Sequence, residues 1–158
     1  RRKTLNRELL LNPLKFSETN MCKAYIAGFI DGEGCISAYR NGQKNIYGRV
    51  IVGQASLNIL ESLKVIYGGY ISKKQRNGNH KDYWDWTVSG KDISKLLRDI
   101  LPFLQLKRKQ AELVLRIQPY KVTHKAGYSF RYQKKIIGVA NNKVMNKLHI
   151  LNRRGRIE

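Results

Sequence analysis

The sequence predicts an α+β fold with the element order αββαββα, in which an antiparallel four-stranded sheet forms a saddle and the helices cover one face. Three observations predict it. Apolar residues recur at helical spacing between Met21 and Phe29, between Leu57 and Ile66, and between Ile93 and Leu101. A pair of short alternating stretches follows each of the first two segments. Each pair is joined through an Asn-Gly turn signal, Asn41-Gly42 and Asn77-Gly78.

The elements follow in chain order. Residues 1–16 are basic, with a short leucine-rich segment (Leu9, Leu10, Leu11, Leu14), and read as an arm preceding a single domain over 17–158. Ser17 or Thr19 can cap the first helix, which carries Met21, Ala24, Tyr25, Gly28 and Phe29 at helical spacing and should stop near Gly32. Cys35 to Tyr39 form a strand, and Ile46 to Gln54 its return partner with Val50 and Val52 on one face. Leu57, Leu60, Leu63, Val65 and Ile66 mark a second helix, ended by Gly68-Gly69. Tyr70 to Gln75 is the third strand. The fourth, Tyr83 to Ser89, points Trp84, Trp86 and Val88 inward and Tyr83, Asp85 and Thr87 outward. Ile93, Leu96, Leu97, Ile100 and Leu101 form a helix broken before Pro102. A further helix starts at Lys107 and runs to Ile117, with Pro119 as its stop; residues 121–127 are a polar linker; a last basic helix spans Tyr128 to Asn152. An antiparallel sheet with helices on one face leaves its other face open.

The composition points to a polyanionic partner. Of 158 residues, 31 are Lys or Arg against 11 Asp or Glu, a formal net charge of +20. The excess is concentrated: Phe103 to Ile157 hold 14 Lys/Arg and a single acid, Glu112. Such a charge repels itself unless a partner neutralises it, and nucleic acid is the default partner. The plainer alternative is a solvated basic surface of the kind ribosomal proteins carry. Apolar residues make up 42%, enough for a core. Cys22 and Cys35 are too few for a disulfide framework, and His80, His124 and His149 form no metal-binding spacing. With no membrane-length apolar run and no signal-peptide pattern, the expectation is a soluble intracellular protein, of an organelle or a prokaryotic cytoplasm.

The nine residues Ile26-Ala27-Gly28-Phe29-Ile30-Asp31-Gly32-Glu33-Gly34 carry the chemistry. An acid at a helix C-terminus faces the negative end of the helix dipole, and a nearby cation reverses that penalty. Gly28 and Gly32 are four apart on one helix face, where small residues let a second backbone approach. Two copies of the helix crossing there would bring both Glu33 side chains to a dyad, a geometry that predicts a homodimer with Tyr25, Gly28, Phe29 and Gly32 at the interface. A hydrolytic nuclease needs oxygen ligands for a hard divalent ion, and Mg²⁺ takes one or two carboxylates plus water and phosphate oxygens.

This stretch resembles the signature of the LAGLIDADG homing endonucleases. The resemblance covers most of residues 20–155 and includes Pro102-Phe103-Leu104-Gln105-Leu106-Lys107-Arg108-Lys109-Gln110, similar to a P-F-L-x-x-K-x-x-Q stretch of that family. It implies that Glu33 binds the metal and that the backbone carbonyl of Gly32 adds a ligand. The metal would be Mg²⁺, with Mn²⁺ or Ca²⁺ able to substitute. Asp31 would be mainly structural. Gln54, at the end of the second strand, would position water, its plainer role being a local hydrogen bond. Lys107 would approach the scissile phosphate, its plainer role being an exposed helix start. The basic residue that many relatives carry one turn after the glutamine is absent, since Ser56 and Asn58 fall there.

A small sheet can enter the major groove and show alternate side chains to base edges. The open face here would present Ser37, Tyr39, Arg49, Ser72, Lys74, Arg76, Tyr83, Asp85 and Thr87. A register slip of one residue would exchange this set for its neighbours. The resemblance thus implies a Mg²⁺-dependent homodimeric endonuclease that makes double-strand breaks in a long, roughly palindromic duplex, in the service of intron homing. The alternatives are an intron maturase that binds RNA without cutting DNA and a basic ribosomal protein. A pure maturase need not keep Glu33, Gln54 and Lys107.

Overall fold

In the computed structural model, residues 20–41, 45–74, 82–90, 92–117 and 128–153 are described, Asn20, Met21 and 128–137 by their backbone alone. The arm, the caps at Ser17 and Thr19, the turn residues Gly42 and Asn77 to Asn79, the end of the third strand at Gln75, Arg76, Pro119 and the 121–127 linker lie outside the described residues.

The chain runs α1 (Asn20–Glu33), β1 (Gly34–Asn41), β2 (Asn45–Gln54), α2 (Leu57–Tyr67), β3 (Tyr70–Lys74), β4 (Tyr83–Ser89), α3 (Asp92–Ile100), α4 (Arg108–Leu115) and α5 (Tyr128–Leu151). The expected αββαββ core is present, and the three helices expected after the second hairpin complete it. The four strands form one antiparallel sheet in the order β1-β2-β4-β3, so both hairpins meet through their second strands. Register is fixed by Ile36 opposite Val50, Val50 opposite Val88, and Ile71 opposite Trp86. All four sets of apolar side chains therefore fall on one face, because the side-chain period in a strand is two.

That face is the core. Ile36, Val50, Val52, Trp86 and Val88 are fully buried. They pack against Ile26, Ala27 and Ile30 of α1, Ile59, Leu60 and Leu63 of α2, and Ile93, Leu96, Leu97 and Ile100 of α3. The spacing within α3 is the i, i+3, i+4, i+7 stripe of a helix with one apolar side. Trp86 holds the middle of the sheet, and its indole N–H donates to the Gly68 carbonyl at 2.9 Å. A buried indole needs such a partner. Gly68 ends α2 at φ 71°, and its own N–H closes on Lys64 O at 2.8 Å.

The basic α5 completes the fold. Asn141, Met145 and Leu148 are buried along one stripe, and the helix lies against α4, β1 and β2. Asn152 donates to the Ile36 carbonyl at 2.9 Å, and Arg40 donates to Asn142 at 2.8 Å. Among the described residues no helix is long and apolar enough to cross a membrane.

Candidate active site and nucleic-acid interface

The chain passes from α1 into β1 without a loop. Glu33 is the last helical residue and Gly34 the first residue of the strand. A Cβ at Gly34 would lie 2.8 Å from the Ile30 carbonyl oxygen, so only glycine allows the strand to leave the helix at this angle. Gly34 pairs with Val52. Gln54 is two residues farther along β2, at the sheet end where α1 delivers Glu33.

Asp31 and Lys107 join this tip. Asp31 is 8% exposed. Its carboxylate accepts backbone N–H bonds from Gln105 (2.7 Å), Leu106 (3.2 Å) and Lys107 (2.9 Å). The Lys107 ammonium in turn donates to the backbone carbonyl of Asp31. Charge-assisted bonds of this kind are about twice as strong as neutral ones. Together they fasten the segment before α4 to the end of α1. The structural role that the resemblance implies for Asp31 is thus that of an anchor for the segment carrying Lys107. The ammonium is also the cation that a helix C-terminus favours. Lys107 is half-buried rather than an exposed helix start, and α4 begins one residue after it.

With Asp31 saturated by N–H donors, Glu33 is the carboxylate left exposed at the tip. Among the described residues no group of three or more His, Cys, Asp and Glu side chains could hold an ion. Gln54 is half-buried, and its side-chain oxygen accepts the N–H of Ala55 at 2.8 Å. This is the local role the sequence allowed, and it leaves the amide NH₂ for another partner.

The interface expected on α1 is open. Tyr25 is 51% exposed and stacks on Phe29, with ring centroids 6.4 Å apart and planes 5° from parallel. A Cβ built at Gly28 or at Gly32 meets nothing within 4 Å. The opposite side of the helix faces the core through Ile26, Ala27 and Ile30, and Lys23 ties it to Asp99 of α3 at 3.1 Å.

The open sheet face carries the side chains predicted for it. Ser37 lies opposite Arg49, Ser72 opposite Asp85, and Lys74 opposite Tyr83. Tyr39 and Thr87 fall on the same face by alternation, and Arg76 lies outside the described residues. A depression of about 250 Å³ is lined by Tyr39, Arg49, Ser72, Lys74, Asp85 and Thr87, together with Ile51, Tyr70 and Ser89. The last three were missed by sequence reading, as was Tyr47, whose ring lies 5.9 Å from that of Tyr39. Strict alternation from Arg49, Ser72 and Thr87 would have found them. Inside the depression Lys74 pairs with Asp85 at 3.2 Å.

The comparisons agree with this geometry. The DNA endonuclease I-CvuI of Chlorella vulgaris is 33% identical over 104 residues, which make up 60% of this chain and 62% of that protein. The match therefore spans less than two thirds of that relative's length. The structure of I-CvuI with its target in 2 mM Ca superposes with a TM-score of 0.64 at 24% identity, over 87% of this chain and 85% of that one. With the I-CreI target in 2 mM Mg, where the DNA is not cleaved, the TM-score is 0.63 at 25% identity, with the same coverage. An archaeal intron-encoded homing endonuclease bound to DNA gives a TM-score of 0.59 at 20% identity, over 88% of this chain and 89% of that one. I-SmaMI bound to cleaved DNA gives 0.58 at 17% identity, over 85% of this chain but 45% of that one. The model of the LAGLIDADG endonuclease family matches residues 26–114, more than half of the sequence and all of the tip built by α1, β2 and the Lys107 segment: the chain belongs to that family.

Proposed function

We propose that this chain is a site-specific DNA endonuclease that acts as a homodimer and makes double-strand breaks in a long, roughly palindromic duplex. The observation that carries this reading is the tip of α1. One exposed carboxylate, Glu33, ends α1 two residues after the Asp31 carbonyl that Lys107 binds and at the sheet end that carries Gln54, beside an open sheet face of mixed donors and acceptors. I-CvuI, a sequence relative, is a DNA endonuclease seen with its DNA target, and the archaeal structural relative is an intron-encoded homing endonuclease, so intron homing is the biology these relatives suggest.

The residues at the tip fit a hard divalent cation. Glu33 and the backbone carbonyl of Gly32 are oxygen donors, the kind Mg²⁺ takes together with water and phosphate oxygens, and Mn²⁺ or Ca²⁺ fits the same donors. When bound, the ion supplies positive charge to the scissile phosphate and acidifies coordinated water. The protein's own groups do the rest. Lys107 keeps two ammonium N–H donors beyond the one given to Asp31, and these stabilise charge that develops on phosphate oxygens. The Gln54 NH₂ orients a water. The half-buried sheet face reads base edges, and surface Lys and Arg hold phosphates without specifying sequence.

Two-fold pairing is supported by the exposed, small-faced stripe of α1, which lets a second copy approach closely. A dyad there sets two Glu33 carboxylates side by side. An RNA-binding maturase needs the basic surface alone and gives no role to Glu33.

The test is cleavage of a plasmid library in Mg²⁺ by wild type and by Glu33→Gln. Sequence-defined double-strand breaks made by wild type alone support the reading. Breaks made equally by both would move the chemistry away from the tip, and no break at any site would overturn the function.

A further inference from the structure

We propose that Arg49 is a specificity-determining residue that reads one guanine in the major groove, at dyad-related positions of the two half-sites. The inference rests on the DNA-cleaving function proposed above and narrows what that function recognises.

Position is the first argument. Arg49 lies on β2, an inner strand, with Ser37 beside it on β1 and Ser89 beside it on β4. Both neighbours are short, so the arginine is the tall side chain in the middle of the open face. A sheet laid in the groove brings its middle to the bases and its margins to the phosphates.

Preorganisation is the second. The Arg49 Nε donates to the Ser37 hydroxyl at 3.2 Å. The guanidinium carbon lies 5.4 Å from the Tyr39 ring centroid. A hydroxyl on one edge and an aromatic ring against the group restrict the rotamers that a free arginine would lose on binding. Because Nε is engaged, the two terminal nitrogens are the donors that remain, and they face a ligand end-on as a parallel pair. That pair matches the two acceptors of guanine, O6 and N7; adenine sets a donor at N6 in place of one of them.

Electrostatics separates a base from a phosphate. Asp85 lines the same depression, with its side chain 18% exposed and paired to Lys74. Paired to Lys74, that carboxylate cancels a second cation that would otherwise draw a phosphate into the depression. The Lys74 charge is largely answered by that pair, which leaves Arg49 as the charged donor outside an ion pair among the described residues that line the depression.

The experiment is selection of bound duplexes from a randomised pool by the full chain, followed by sequencing, for wild type, Arg49→Gln and Arg49→Lys. Wild type is expected to enrich guanine at one position in each half-site. Arg49→Gln loses that enrichment, by about 5- to 100-fold, which is what one bidentate base contact is worth, and Arg49→Lys, with one ammonium in place of a parallel pair of donors, keeps only part of it. All other positions keep their preferences. Arg49→Lys keeps the charge, so its salt dependence and its affinity for sites lacking that guanine stay near wild type while the guanine preference shrinks. If both variants enrich the same site as wild type, or if Arg49→Gln weakens all sequences evenly and lowers the salt slope by about one, Arg49 contacts a phosphate and the assignment is overturned. If wild type itself enriches nothing, the DNA-reading function fails and the assignment with it. Circular dichroism of each variant confirms that the surface substitution leaves the fold intact.

Discussion

Asp31 and Lys107 are 76 residues apart in sequence and bind each other's backbone: the Asp31 carboxylate accepts the Lys107 N–H at 2.9 Å, and the Lys107 ammonium donates to the Asp31 carbonyl. The pair makes the position of one site residue depend on the other. Asp31→Asn keeps the shape but has one acceptor oxygen for three N–H donors, and should destabilise the fold by about 1–3 kcal/mol, read by chemical denaturation. Single-turnover cleavage should fall as well. In a double-mutant cycle with Lys107→Met the two losses should be less than additive, because both act through the same ammonium. Fully additive losses would show that Asp31 serves stability alone.

Glu33 is exposed and ends α1, so its substitution separates chemistry from folding. Glu33→Gln should leave stability within about 0.5 kcal/mol of wild type, as surface changes do. Cleavage in Mg²⁺ should fall by at least about 100-fold, as expected when a charged metal ligand is lost. Binding of the cognate duplex should survive, and chelation of the metal should reproduce the loss in wild type.

Gly28 distinguishes the monomer from the dimer. Within one chain a side chain there meets nothing, so Gly28→Leu should fold at least as well as wild type and gain up to about 1 kcal/mol of helix propensity. A leucine between two crossing helices would hold the backbones apart. The variant should therefore sediment as a monomer and lose cleavage. A fully active dimer of Gly28→Leu would move the interface off α1.

Trp86 fills the centre of the core and is fully buried. Trp86→Ala should cost about 3–5 kcal/mol, the usual loss for a large buried aromatic. Trp86→Phe keeps most of the volume but strands the Gly68 carbonyl, and should cost less. Urea titrations of both variants order the two effects.

A chain with a net charge of +20 should bind DNA with a steep salt dependence. If six to ten phosphates are neutralised, affinity should drop about 10³- to 10⁵-fold between 50 and 200 mM salt. A flat dependence would show that the basic surface does not hold the duplex.

The strand pattern, the hairpins and the signature were legible because each is local. Alternation at period two set Trp84, Trp86 and Val88 against the core. The same alternation set Arg49 and Asp85 on the open face, and the pairing register bears out both. The signature residues Gly32 to Gly34 could be read as a helix tip from a few consecutive positions. The sequence also determined the charge of the surface, since composition does not depend on folding. What tertiary structure alone decided is which distant groups meet. Nothing in the chain says that Asp31 answers three N–H groups from Gln105 to Lys107, that Ser37 and Tyr39 hold Arg49, or that α5 seals β1 through Asn152 and Ile36. Those contacts depend on the sheet order β1-β2-β4-β3 and on helices stacked across it. Local propensity carries information over a turn or two of chain, whereas hydrogen bonds across 74 to 116 residues exist only once the core has closed.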